Sequence, residues 1–316
     1  MSVDTIAARP AFAEEPLGGT VAERLARLPQ IVADLQRADA AAERERVLQY
    51  DAVQRLRHAG ILSLRVPARY GGPGGSVRDV LGAVIQIARG SSNVAQALRP
   101  HFGFAERLLS NRATEVERVH WFPRFTEGLV FGNAITDGHG RSPSSAQTRV
   151  IADADGVLRL NGYKFYSTGT LFADLIAVSA VDADGLDVQV IVPADREGVE
   201  LYDDWDGFGQ RATASGGTRF TDVVVHPFEV TTVSDGKHLG HGTTFLQLYL
   251  AAVTAGIAAA RLFDTGGASA TARALNLDRH WRNVRTIVSH NPLAYKSYAA
   301  GNYAVNGVWP PANGYF

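Results

Sequence analysis

The sequence predicts an α+β protein in which two helical regions flank a central sheet. Three observations carry that prediction. Apolar residues recur at helical spacing through the first third of the chain. Short β-branched runs broken by Asp-Gly and Asn-Gly pairs fill the middle, and an alanine-rich helical pattern returns near residue 243. The expected division is a helical domain over 1–127, a β-domain over 128–240 and a helical domain over 241–316.

From Thr20 to Gly60 the residues favour helix. Leu48, Ala52, Val53 and Leu56 recur at helical spacing, and Gly60 closes the pattern as a C-terminal cap. The stretch RVPARYGGPGGS, Arg65 to Ser76, is a turn-rich link. Helical patterning resumes from Val77 to Arg89, from Asn93 to Leu109 and from Ala113 to Thr126. At Gly128 the texture changes. The runs LVFGNAIT, TRVIADADGVLRLNGYKFYSTG, LIAVSAV, VQVIVP and TRFTDVVV predict an antiparallel sheet, with Asp155-Gly156 and Asn161-Gly162 as hairpin turns. TTFLQLYLAAVTAGIAAAR, Thr243 to Arg261, is the next helix, and helical character continues intermittently to Lys296.

Composition narrows the function. With 46% hydrophobic and 20% charged residues in 316, the chain can bury a sizeable core. A net charge of −1 argues against nucleic acid, whose phosphates need a basic face. No apolar run approaches the roughly 20 residues that span a bilayer. The start, MSVDTIAARPAFAEEPLGG, lacks the basic-then-apolar order of a signal peptide and is expected to be a flexible or docking tail. Zero cysteines exclude disulfides, thiolate metal sites and thiol catalysis, and make the cytoplasm the expected location.

Common motifs are missing. Gly71, Gly72, Gly74 and Gly75 follow no strand, and neither a phosphate-binding GxxxxGK[ST] loop nor a GxSxG elbow occurs. His238 and His241 lie in a glycine-rich turn without a third ligand, so no metal site is expected. Three loops stand out: FGNAITDGHGRS from Phe131, DDWDGFGQRATASGG from Asp203 and RLFDTGGASAT from Arg261. The first is suited to presenting backbone N–H and C=O groups to a flat heterocycle. Taken singly, each reads as an ordinary loop. A cationic cluster follows in LDRHWRNVRTIVSHNPLAYK, where Arg279, Arg282 and Arg285 share one helical face. That face can serve salt bridges or a phosphate.

In order, these stretches resemble the acyl-CoA dehydrogenase superfamily. FGNAITDGHG stands where that family has its flavin-contacting Thr-Glu strand, and LNGYKFYSTG looks like its NGxKxxxTxG hairpin. GQRATASGGTRFTDVVV resembles its GxRxSxxxxxxFxxVxVP segment. LFDTGGASAT, with Gly266 and Gly267, fits the loop that reaches a flavin across a subunit interface. The resemblance covers most of Leu48 to Asn306. It implies the family's fold: N-terminal helices, a middle β-domain and a C-terminal helical bundle.

Within the superfamily, a dehydrogenase needs a carboxylate base, yet no Asp or Glu follows Arg279. RHWRNxRT…SHNPxxYK instead resembles the flavin-dependent monooxygenases of this fold that oxidise dibenzothiophene and related organosulfur compounds. That resemblance implies His290 at the reactive edge of the flavin, where an imidazole can donate or accept a hydrogen bond near neutral pH. It also implies FMN contacts at Asn133 (ring edge), Thr168 (pyrimidine side) and Trp205 (stacking), with His101 on a helix facing the substrate pocket. Gln96 and Pro100 replace the polar pocket residues of the sulfur monooxygenases, which leaves the substrate open.

One departure concerns the bundle. The family places roughly 80 residues, about 120 Å of helix, between the LAAVTAGIAAA and LFDTGG segments. Here Ala260 runs directly into Arg261, so the C-terminal bundle is expected to be incomplete, by deletion or by omission of a segment. The resulting expectation is a monooxygenase using reduced FMN from a separate NAD(P)H-dependent reductase, with dioxygen and a small organosulfur or aromatic substrate, assembled as a homotetramer. The alternatives are an FAD-dependent acyl-CoA dehydrogenase-like oxidoreductase and a non-catalytic flavin-binding homologue.

Overall fold

A computed structural model describes residues 16–137, 148–232, 241–261 and 278–289, together with Asn302, Asn306 and Gly307. The helical first region comprises α1 (Val21–Ala26), α2 (Leu28–Glu45), α3 (Tyr50–His58), α4 (Val77–Gly90), α5 (Ser92–Ala97), α6 (Arg99–Leu109) and α7 (Glu115–Thr126). Capping boxes start α1, α4 and α7: Thr20 with Glu23, Ser76 with Asp79, and Thr114 with Glu117. The single helix predicted over Asn93–Leu109 is broken at Leu98, because Pro100 has no N–H to give to Gln96. That break lets Gln96 and Arg99 turn toward one side. Gly60, at φ 73°, ends α3 as the sequence predicts.

The strands are β1 (Phe131–Ala134), β2 (Arg149–Ala152), β3 (Leu158–Ser167), β4 (Leu175–Val181), β5 (Asp187–Pro193), β6 (Val199–Leu201), β7 (Gly216–Val225) and β8 (Val230–Thr232). They form one eight-stranded sheet in the order β6-β7-β3-β2-β4-β5-β8, with β1 also on β4. The sheet is mixed, which corrects the antiparallel expectation: β1 and β2 both run parallel to β4. The β2–β3 hairpin intervenes between β1 and β4, giving the long connection that parallel neighbours require.

Asp155-Gly156 does turn that hairpin, with Gly156 at φ 80°. Asn161-Gly162 does not. It lies inside β3, where the register with β7 shifts between Leu160 and Gly162. Asn161 exchanges side-chain hydrogen bonds with Asp222 across the shift, and a Cβ at Gly162 would lie 2.5 Å from Thr148. An Asn-Gly pair suits a bulge as well as a turn, and local sequence does not distinguish them.

The C-terminal region contributes α8 (His241–Arg261) and α9 (Asp278–Ser289). Helix α8 lies on α4 and extends its apolar core through Phe245, Tyr249, Val253 and Ile257. Close approach is possible because Gly256 has no Cβ; one would sit 2.5 Å from that of Ala88. A second core fills the sheet, and an aromatic cluster of Phe104, Trp121, Phe122, Phe125 and Phe131 joins α6 and α7 to β1.

Helix α9 docks through charge. Arg279 Nε lies 3.3 Å from Asp39 on α2, both buried, and Arg282 lies 3.6 Å from buried Glu43. Burial pushes the Asp39 carboxyl up, against the opposing pull of Ser91 and Arg279. These two arginines of the cationic cluster therefore hold helices together.

Candidate functional site

A cavity of about 330 Å³ lies where the helices meet the sheet. Its walls come from α5 and α6 (Gln96, Arg99), the end of β1 and its continuation (Asn133, Ile135, Thr136), the end of β3 (Tyr166, Thr168), the 205–215 loop (Trp205, Gln210, Thr213, Ser215) and α9 (Thr286).

Each wall is fixed by identifiable contacts. Beyond β1, the chain is held by the motif lysine: Lys164 is buried and donates from Nζ to Ile135 O at 3.1 Å and Asp137 Oδ2 at 2.7 Å. Burial lowers the Lys164 pKa, and Asp137 opposes the shift. Asp137 also accepts from Thr148, while Phe165 N–H donates to Thr136 O at 2.7 Å. Ile135 and Thr136 are thus stapled against β3.

At the end of β3 the turn needs glycine. Gly169 has φ 72°, and a Cβ there would lie 2.3 Å from Ala97 O. This close approach brings Thr168 beside the end of α5, where Thr168 O accepts from Asn133 N–H at 3.3 Å. The Trp205 indole donates to Gln210 O at 3.0 Å and meets Tyr166 edge-on at 5.6 Å. Gln210 in turn donates from its backbone N–H to Asn283 Oδ1 at 2.7 Å and from Nε2 to Ser92 Oγ at 3.0 Å. Tyr166, Gln210 and Ala214 all have left-handed φ values, between 50° and 55°, so strained backbone is concentrated around the cavity.

Among the residues expected at the site, Asn133, Thr168 and Trp205 share this cavity. His101 does not. It is fully buried, with Nε2 donating to Leu62 O at 2.8 Å and Nδ1 accepting from Phe131 N–H at 3.2 Å. Burial pushes its pKa down to about 4. With both ring nitrogens engaged by backbone, His101 joins α6 to β1 and has no face toward a substrate. His290, Gly266 and Gly267 lie outside the described residues, as does His238; α9 ends at Ser289, and Thr286, four residues before His290, lines the cavity.

Sequence reasoning missed Arg99 and Tyr166. Arg99 had a signal, a charge amid the apolar run QALRPHFGF. Tyr166 had none, since its left-handed backbone sits within β3 at a register shift against β7 between Lys164 and Ser167. Gln210, Thr213 and Ser215 stood in the quoted GQRATAS segment without being singled out, and Thr286 stood in the cationic stretch.

The cavity's chemistry fits an isoalloxazine. It offers an aromatic wall, hydroxyls that donate or accept, and side-chain amides with buried Gln96 Oε1 and Gln210 Oε1 lacking any hydrogen-bond partner. Its volume is within the range of small-molecule sites.

Helices on either side of a mixed sheet, with a polar-edged cavity at their junction, define the acyl-CoA dehydrogenase fold. The chain belongs to the acyl-CoA dehydrogenase superfamily: the family's N-terminal domain matches residues 28–129 and its C-terminal domain residues 242–295. It is similar to the probable FMNH2-dependent monooxygenase SfnC of Pseudomonas putida, 26% identical over 362 aligned positions that cover 82% of this chain and 89% of the relative. Those positions outnumber the 316 residues of this chain, so the alignment sets gaps opposite part of the relative. The dibenzothiophene monooxygenase of Mycolicibacterium goodii is 24% identical, covering 81% of this chain and 87% of the relative. The FMN-bound crystal structure of TdsC from Paenibacillus sp. A11-2 superposes with a TM-score of 0.78 at 21% identity, covering 93% of this chain and 100% of that one. Among the described residues, no helix is long and apolar enough to cross a membrane.

Proposed function

We propose that the chain is an FMNH2-dependent monooxygenase that takes reduced FMN from a separate NAD(P)H-dependent reductase and oxygenates a small organosulfur or aromatic substrate. The observation that carries this reading is the cavity itself: groups for a flavin edge converge there, and no Asp or Glu lines it among the described residues. A dehydrogenase would need such a carboxylate as base. The relatives' names point the same way. FMN is the cofactor they favour, and nothing in the cavity specifically favours FAD.

When bound, reduced FMN supplies the electrons that activate dioxygen. The chain's residues do the rest. Asn133 and Thr168 present hydrogen-bonding groups to the ring edge, while Trp205 and Tyr166 bound it laterally. Helices α5 and α6 help close the cavity to water through Gln96 and Arg99. His290 is the proposed imidazole that holds or delivers a proton, and Gly266 and Gly267 are proposed to approach a neighbouring subunit's flavin. The proposed assembly is a homotetramer, which light scattering can test; a stable monomer at micromolar concentration contradicts it.

The reading as a whole is tested by oxygen uptake. With chemically reduced FMN, the protein should bind the flavin and consume dioxygen in a substrate-dependent way, without NADH. Oxidation of NADH by this chain alone would overturn the two-component scheme.

A further inference from the structure

Among the described residues, Arg99 is the only charged side chain lining the cavity. Among the described residues it makes no hydrogen bond and no ion pair, and its Nε is buried without a partner. Burial lowers its pKa, opposed by the neighbouring Tyr249, whose hydroxyl itself donates to Ala95 O at 2.7 Å. Several other buried or part-buried arginines are matched by carboxylates, Arg65 with Glu106, Arg107 with Glu117, Arg196 with Glu229 and Arg279 with Asp39, and buried Arg24 is satisfied by Gly19 O, Gly60 O and Ser63 Oγ.

Nor does Arg99 serve its helix. It opens α6, the end at which the helix dipole disfavours a cation. A guanidinium is costly to bury without a counterion, because it gives up water and gains nothing in return. It is also the side chain best shaped to hold two oxygens of one acidic group. The sheet and loop walls carry the groups assigned above to the flavin ring, whereas Arg99 and Gln96 are contributed to the cavity by helices α6 and α5.

We propose that Arg99 binds the acidic group of the substrate, so that the compound oxygenated is a small organic acid bearing a sulfinate, sulfonate or carboxylate. Gln96, whose Oε1 is unpartnered, is placed to hydrogen-bond a protonated atom of the same ligand. This deepens the monooxygenase reading and rests on it for the fate of the anion, although binding of the anion does not depend on turnover.

The test is calorimetric titration of the FMN-loaded, oxidised protein with methanesulfinate, methanesulfonate and acetate, and with dimethyl sulfone as the neutral counterpart. The wild type should bind at least one anion about tenfold or more tightly than the sulfone. Arg99→Met, similar in length, should lose about tenfold or more for that anion while the sulfone changes little, and Arg99→Lys should recover part of the loss. If Arg99→Met does not fold, Arg99→Lys and Arg99→Gln carry the same comparison.

Several results would overturn the proposal. They are no anion binding by the wild type at tens of millimolar, equal binding of anion and sulfone, or equal loss of both in the variant. A fourth is a loss of affinity for FMN but not riboflavin, which would assign the guanidinium to the flavin phosphate. Anion binding without any oxygenation would leave this proposal standing and remove the monooxygenase reading. Oxygenation of a neutral sulfur compound without anion binding would do the reverse.

Discussion

The side-chain oxygen of Asn283, on the last described helix, accepts a 2.7 Å hydrogen bond from the backbone N–H of Gln210, in the loop that carries Trp205. The Asn283 amide also donates to Ser92 Oγ at 2.9 Å, which itself receives Gln210 Nε2. Three segments distant in sequence, α5, the 205–215 loop and α9, are thereby locked into one buried polar knot beside the cavity. Completion of the site depends on α9.

Asn283→Leu should therefore act on both stability and flavin binding. It strands a buried N–H and removes a donor to Ser92, a loss of about 2 kcal/mol. Urea unfolding should show that loss, and FMN titration should show weaker binding as the loop with Trp205 loosens. Unchanged FMN affinity in a destabilised variant would mean that the knot supports the fold alone.

The Lys164–Asp137 pair gives a second prediction. Asp137→Asn leaves a buried ammonium with only neutral acceptors among its described partners, and should cost about 3 kcal/mol. The double variant Lys164→Met/Asp137→Leu should recover most of that, because no charge is left unpaired. Unfolding midpoints of the single and double variants check it.

His101 predicts a pH dependence. Its folded pKa of about 4 lies below the ordinary value of 6.5, so the unfolded chain binds the extra proton first as pH falls. This group's destabilisation begins near pH 6.5, grows through the window down to pH 4 and then levels off. At pH 5 it amounts to about 2 kcal/mol. Thermal melts of the wild type and His101→Gln at pH 7 and pH 5 should show the steeper acid loss in the wild type, although the variant is less stable at pH 7. Parallel losses would place the titrating group elsewhere.

His290→Ala should leave folding and most FMN affinity intact while diverting oxygen consumption to hydrogen peroxide, with product formation down roughly 10²- to 10⁴-fold. The ratio of product to peroxide measures it. Wild-type coupling in the variant would reduce His290 to a turn residue.

Much of this molecule was legible in its sequence. The helical patterning that begins at Thr20, Val77 and Ala113 falls within two residues of the starts of α1, α4 and α7, and the motif segments placed Asn133, Thr168 and Trp205 on one cavity because backbone turns with strong local signatures carry them. What was hidden depends on long-range packing. His101 looked like a pocket residue because a helical face does not reveal whether sheet or solvent covers it. Asn161-Gly162 looked like a hairpin because a bulge and a turn use the same residues. Arg279 and Arg282 could have met phosphate or carboxylate, and only the fold brought Asp39 and Glu43 to them. The parallel pairing of β1 with β4 depends on where a 44-residue separation returns, which no local pattern encodes.

The most direct test of the central claim is isotopic. The protein would be supplied with FMN, NADH, a separate flavin reductase and a panel of small sulfur compounds and organic acids under ¹⁸O-labelled dioxygen, and the product analysed by mass spectrometry. The account predicts one labelled oxygen atom per product molecule, only when both the reductase and this chain are present. A product whose added oxygen comes from water, or desaturation of an acyl thioester with no oxygen added, would contradict it.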